Sequence, residues 1–476
     1  MRWLKTGLIA LAVILIVAII GFVWFLSKAA PIGTGYVAKY LCSSTFISER
    51  DPDIVFEEDI KPVNPLASFV DWKIDHEARS VTGDMFGFFS LKAIYRDGSG
   101  CSLVIDTTEE EMRRQKLVSP DIMQTRPRHP DTMPWPLGSQ GPVDPASLGI
   151  NTDALNKALD YEFSEPGPEK QRLTRAVVVV YYGHLVAERY APGFTKDTPI
   201  LSWSMSKSVT SALVGILVKE GRLDIYQPAP VPEWSRDDDP RKKITTDQLL
   251  RMSSGLEFDE TYAPLHDATY MLYGSYDFAA YAAEKQLKTD PDGEWYYSSG
   301  TANITARIVR GFAEKEYEYY YDFMYEKLFD KIGMYSALVE PDSSGTFVGS
   351  SYAVATPRDW ARFGQFYLQD GVWQGERILP EGWVEYSTTP TPKAPQGEYG
   401  AYFWLNAGSP SDPGDRPWPS APPDAFAASG FQQQRVIVIP SKNLVLVRFG
   451  ATSSPDAWSV DEFVKQMLAA LPAGGE

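Results

Sequence analysis

The chain is poor in the residues that hold metals and staple small folds: its 476 residues include two cysteines and four histidines. That supply is too small for a zinc ribbon, an iron–sulfur cluster or a His-rich centre, so any metal would have to rest on carboxylates. Positive charge is also short, with 45 Lys+Arg against 62 Asp+Glu for a formal net charge of −17. Such a field repels phosphate backbones, and with no basic patch to override it, no nucleic-acid partner is expected. There is no internal repeat, no G-x-S-x-G elbow, no H-E-x-x-H pair and no P-loop. Apolar and aromatic residues, in contrast, make up 44% and 13% of the chain, enough at this length for a large buried core.

One long apolar run stands out. From Gly7 to Ser27 the chain carries no charge, and at helical rise it covers roughly 30 Å, the thickness of a bilayer core. Arg2 and Lys5 precede it, which by the positive-inside rule makes residues 1–6 a cytoplasmic tail and 7–27 a transmembrane helix. Everything after Lys28 then lies in the periplasm or outside the cell, as in a single-pass protein of the inner (cytoplasmic) membrane. A cleaved signal peptide is the alternative: its apolar core is normally about 7–15 residues, yet Ser27-Lys28-Ala29 passes as a cleavage site. Export makes an even number of thiols informative, because the compartment beyond the membrane is oxidising. Cys42 and Cys101 are therefore expected to form a disulfide, the alternative being two unrelated buried thiols.

Residues 28–140 read as a small disulfide-stapled region, β-containing in segments such as Ser102-Leu103-Val104-Ile105, followed by a linker or extended strap crowded with Pro120, Pro127, Pro130, Pro134, Pro136 and Pro142. Their place ahead of the main domain, residues 141–476, suggests a lid over its cleft. That domain opens with Leu155, Leu159 and Phe163 at the spacing of one helical face. Ala176–Tyr182 and Leu185–Tyr190 form one predicted hairpin, and Gln434–Ile439 with Leu444–Phe449 another. Strands at both ends around a helical middle predict an α+β domain whose antiparallel sheet is assembled from distant parts of the chain.

The richest stretch for chemistry is Ser202–Gly221, read as an apolar helix stopped by its glycine. Ser204 and Lys207 share a face at its amino-terminal end, where free N–H groups favour developing negative charge. A buried lysine loses proton affinity and can take the serine proton as a neutral amine. The pattern S-x-x-K alone is weak, since a capping serine beside a solvated lysine looks the same. His76, His129, His184 and His266 support no Ser-His-Asp triad, and Asp237-Asp238-Asp239 reads as solvated loop charge, with calcium as a minor alternative.

Several further segments follow in order. They are Leu249-Leu250-Arg251-Met252-Ser253-Ser254-Gly255, Tyr297-Ser298-Ser299, Thr356-Pro357-Arg358-Asp359-Trp360-Ala361-Arg362-Phe363-Gly364 and Ala428-Ser429-Gly430-Phe431. Taken with Ser204 and Lys207, over roughly residues 145–470, the set resembles the serine β-lactamase and penicillin-binding protein superfamily. It is most similar to the class C-like branch of esterases, D-aminopeptidases and 6-aminohexanoate-dimer hydrolases. The resemblance implies a β-lactamase/transpeptidase-like fold with flanking helices and a helical subdomain, and a serine hydrolase that needs no cofactor and no metal. Its substrate would be a small ester, amide or peptide, and the resemblance leaves the oligomeric state open. Ser204 would be the nucleophile, Lys207 its activating partner and Tyr297 a proton relay kept partly ionised by Lys207. The backbone N–H groups of Ser204 and Phe431 would form the oxyanion hole, with Ser299, Tyr262, Ser429 and Gly430 binding substrate. Tyr262 is also readable as a plain loop aromatic. Ala428 stands where the family places Lys or His, which weakens the β-lactam and D-Ala-D-Ala readings and keeps a D-amino acid peptidase and a catalytically silent binding module as rivals.

Overall fold

The computed structural model describes residues 2–168, 170–452 and 454–472. Met1 of the expected tail and the last four residues of the expected main domain lie outside the described residues. The chain begins with a single helix, α1 (Arg2–Phe46), which contains the apolar run and continues well beyond it. From Leu8 to Trp24 its large apolar side chains are exposed, whereas Val37, Ala38 and Leu41 are fully buried. The opening of region 28–140, expected to be β-containing, is therefore the second half of this helix.

Two small residues make that packing possible. A Cβ on Gly35 would lie 2.8 Å from Leu91 Cδ2 and 3.2 Å from the Tyr273 carbonyl, and one on Gly83 would lie 2.5 Å from the Thr34 carbonyl. The helix thus rests directly on a four-stranded antiparallel meander of β1 (Asp71–Asp75), β2 (Ser80–Met85), β3 (Phe89–Arg96) and β4 (Gly100–Leu103). Cys42 and Cys101 form a disulfide between α1 and β4. The Lys39 ammonium, buried with Glu340, forms an ion pair at 2.5 Å that ties the same helix to the main domain. Helix, meander and main domain share one continuous apolar cluster. The proline-rich stretch runs as a pinned strap: Arg362 donates to the Pro136 and Gly138 carbonyls, and Arg358 to that of Ser139.

In the main domain α2 (Thr152–Glu162) leads into the predicted hairpin, β5 (Thr174–Tyr181) and β6 (His184–Tyr190). The helical middle includes α3 (Ser206–Lys219), α4 (Ser299–Ala313) and α5 (Pro357–Leu368). Strands β7 (Trp404–Leu405), β8 (Phe426–Gly430), β9 (Gln434–Ile439) and β10 (Leu444–Gly450) complete the sheet before the closing helix α6 (Val460–Ala470). The six-stranded order is β7-β8-β9-β10-β5-β6, antiparallel throughout, with Val447 opposite Val178 and Val445 opposite Val180. Alternation along these strands feeds two layers. Val178, Val180, Val445 and Val447 face the large core with α3 to α5, while Val177, Val179 and Leu446 face α2 and α6.

Candidate active site

Ser204 lies in the turn just before α3, where Lys207 N–H donates to its carbonyl at 3.1 Å. The expected helix thus starts two residues later than the serine. Ser202 and Ser206 pin this turn: Ser202 Oγ donates to the Ala353 carbonyl at 2.6 Å, and Ser206 Oγ to that of Trp203 at 2.7 Å. Between them Trp203 has a φ of +50°, a left-handed conformation that a bulky residue adopts only when its surroundings impose it. Its ring is held between Tyr40 of α1, at 5.9 Å, and Phe431, at 5.7 Å. The second half of α1 therefore meets this site by buttressing Trp203 from the buried core.

Lys207 is 1% exposed, and its ammonium donates to Ser204 Oγ at 3.2 Å, Ser299 Oγ at 3.1 Å and the Ser350 carbonyl at 3.0 Å. Burial lowers its pKa to about 8, against the opposing pull of the Glu260 carboxylate. Tyr297 faces the same amine, with its ring centroid 4.6 Å from Nζ. The expectation of a partly ionised phenol is corrected here: burial, reinforced by Glu260, pushes the Tyr297 pKa up, and the opposing effects of Ser204 and Arg435 are smaller. Tyr297 is thus a neutral hydroxyl, able to donate a proton but not to act as a standing phenolate.

Glu260 is the residue that sequence reasoning missed. Its Oε1 accepts from Ser299 Oγ at 2.5 Å and from the Tyr262 hydroxyl at 2.9 Å, and its Oε2 accepts from the Ser299 N–H at 2.7 Å. Burial raises its pKa and Lys207 opposes that shift. A continuous chain Ser204–Lys207–Ser299–Glu260–Tyr262 results, with the Tyr262 and Ser299 hydroxyls also 3.4 Å apart. The available signal was a carboxylate two positions before the suspected Tyr262, in a loop whose hydrogen-bond demand becomes visible only in three dimensions.

At the end of β8, Ser429 pairs with Arg435 and Gly430 with Gln434. A Cβ on Gly430 would stand 2.2 Å from the Ser202 carbonyl, so only glycine lets this strand approach the segment that carries Ser204. Among the described residues neither the Ser204 nor the Phe431 amide donates to a backbone carbonyl in the turns and loops around them. Ala428 is buried at 2% exposure and presents no cation. The nearby Arg435 guanidinium is occupied, donating to the carbonyls of Gly430 and Gln434 and to Gln433 Oε1. Aromatic rings line the rest: Tyr297 packs on Tyr399 and Trp404 at 5.8 and 5.5 Å, while Tyr262 and Phe431 are about half exposed at the rim. The structure thus brings together Ser204, Lys207, Tyr297, Ser299 and Tyr262, with Gly430 and Phe431 beside the turn of Ser204.

Comparison with known proteins places the chain as a whole. A 6-aminohexanoate-dimer hydrolase of Paenarthrobacter ureafaciens is 28% identical over 349 residues, covering 67% of this chain and 82% of its own. Among solved structures, a Bacillus anthracis protein provisionally described as a 6-aminohexanoate-dimer hydrolase is similar at TM-score 0.52 and 25% identity, covering 67% of this chain and 83% of its own. A family VIII carboxylesterase shares the fold at TM-score 0.51 and 15% identity, over 70% of this chain and 98% of its own. The beta-lactamase family model matches residues 156–465, well over half the sequence, and the chain belongs to that family.

Proposed function

We propose that this member of the family is a membrane-anchored serine hydrolase that cleaves an ester or small amide through an acyl-enzyme on Ser204. The observation that carries the proposal is the buried Lys207 amine, 3.2 Å from Ser204 Oγ with its pKa lowered to about 8. As a neutral amine it takes the Ser204 proton while Oγ attacks the substrate carbonyl. The amides of Ser204 and Phe431 receive the charge that develops on the carbonyl oxygen. Tyr297 gives its proton to the departing alcohol or amine and regains one from the Lys207 ammonium, which carries the proton taken from Ser204. In the second half water loses its proton to the neutral Lys207 amine as it attacks the acyl group, and Ser204 Oγ leaves with a proton returned from that amine. Ser299, Tyr262, Ser429 and Gly430 orient the substrate.

The substrate class follows from the walls. An aromatic lining with no free cation at Ala428 suits an uncharged acyl group better than the terminal carboxylate of a peptide. Esters of hydrophobic acids are the substrates to assay first; the linear dimer of 6-aminohexanoate, a zwitterion suggested by the relatives' names and not by the walls, and a D-amino acid peptide come second. The helix Thr6–Phe46 is long and apolar enough to cross a membrane. In this reading residues 7–27 cross the inner membrane from a short cytoplasmic tail, and region 28–140 and the hydrolase domain 141–476 work on its outer side.

The test is covalent. A fluorophosphonate applied to the detergent-solubilised full chain is expected to label Ser204, as mapped by mass spectrometry, and to leave Ser204→Ala unlabelled. Failure to label protein shown to be folded overturns the proposal in favour of a silent binding module.

A further inference from the structure

The turn between β2 and β3 exposes more hydrocarbon than a water-facing turn tolerates at no cost. Phe88 is 86% exposed and Phe86 57%, and they flank Gly87 at the tip. Phe86 has a φ of +62° and Gly87 of +74°, the double left-handed geometry for which tight hairpins normally select Asn and Gly. A phenylalanine there accepts backbone strain in order to present its ring. The Asp84 side chain accepts from the Gly87 N–H at 2.7 Å, which fixes the tip and occupies its nearest charge.

The register of the meander against α1 determines where this tip lies. At its far end Tyr95 packs on Phe46, and Cys101 is bonded to Cys42. Halfway along, Leu91 lies against Gly35, and nearer the tip Met85 meets Gly33. Strand and helix therefore run side by side, with the turn pointing towards the amino-terminal half of α1. Phe88 is three residues beyond Leu91, about 10 Å of strand, which is worth about six to seven residues of helix. Counted from Leu91 the tip is level with Lys28, and counted from Met85, which pairs with Phe89, it is level with about Pro31; the apolar run ends just ahead of this stretch in Phe22, Trp24 and Phe25. Aromatic rings and a snorkelling lysine at this height mark the interface between headgroups and acyl chains.

We propose that Phe86 and Phe88 insert into the outer face of the same bilayer that α1 crosses. The hairpin is then a second membrane contact that fixes the tilt and rotation of the hydrolase domain. The proposal rests on the reading of α1 as a membrane span, and one experiment separates the two. Cys42 and Cys101 are paired, so Phe88→Cys and, separately, Val17→Cys introduce the sole reactive thiol into the full chain. Each variant is labelled in detergent with an environment-sensitive fluorophore and reconstituted into phosphatidylcholine/phosphatidylglycerol vesicles. Quenching is read with lipids spin-labelled near the glycerol or at the chain end, and retained fluorophosphonate labelling of Ser204 reports the fold. The expected result is a blue shift and loss of most emission at position 88 with the shallow quencher, and at position 17 with the deep one. Quenching at position 17 with water-like emission at position 88 overturns the insertion and leaves the anchor standing. Water-like emission at both positions overturns the anchor and the insertion together.

Discussion

Replacing Glu260 by glutamine tests the least obvious member of the site, because it removes one charge and little volume. Ser299 Oγ lies 3.1 Å from the Lys207 amine and 2.5 Å from Glu260 Oε1, so amine and carboxylate are at most 5.6 Å apart. Coulomb's law at an effective dielectric constant of about 20 then gives about 3 kcal/mol of attraction, worth about two pH units on the amine. The sign is fixed: Glu260 favours protonated Lys207, so its neutralisation lowers the Lys207 pKa below its present value of about 8. Activity needs the neutral amine, hence kcat/KM for an ester should rise with pH through a limb near pH 8 in the native chain. In Glu260→Gln that limb should move down by roughly one to two units. Below the native limb the variant should gain relative to its own plateau, while the plateau itself falls because a less basic amine is a poorer base. Stopped assays of kcat/KM from pH 5 to pH 10, with Ser204→Ala as blank, read this directly. A limb that stays in place, or moves up, in a folded variant would refute the electrostatic link between Glu260 and Lys207.

Three further outcomes follow from other contacts. Gly430→Ala puts a methyl 2.2 Å from the Ser202 carbonyl and should shift the strand that carries the Phe431 amide; a loss in kcat on the order of 10²-fold is expected from a misplaced oxyanion donor, measured by steady-state hydrolysis on protein of native circular dichroism. Reducing the bridge between Cys42 and Cys101, 59 positions apart, should cost about 4 kcal/mol by the loop-entropy estimate, read as a lower denaturant midpoint that oxidation restores. Glu340→Gln leaves the Lys39 ammonium buried without its counter-charge and should destabilise by about 3–5 kcal/mol, whereas Lys39→Met combined with Glu340→Gln should be markedly milder.

Patterns that depend on neighbours in the chain were legible in the sequence. Both hairpins read correctly because each is an alternating apolar run around a turn, and the proximity of Ser204 to Lys207 was legible because they stand only three positions apart. What escaped depends on residues brought together from far apart. The helix expected over residues 7–27 runs on through Pro31 to Phe46, and in the folded chain Gly35 serves close packing against Leu91 and Tyr273. Glu260 was one acid among many until Ser299, 39 residues away, turned both its hydroxyl and its amide towards it. The Tyr297 phenol was misjudged because the proximity of a lysine could be inferred, whereas the depth of burial that outweighs it could not.

The strand order also sets a timetable for biosynthesis. Strand β5 is made early, yet its partner β10 begins at Leu444, so one edge of β5 stays open while the 262 residues between Tyr181 and Leu444 emerge. The edge left waiting is the run Ala176 to Val180, uncharged, β-branched and free of proline, the most aggregation-prone kind of segment. A ribosome that stalls, or a protease that clips, anywhere before β10 therefore leaves that edge of β5 uncovered. Truncated forms that lack β10 should aggregate or be degraded instead of accumulating as partial enzymes.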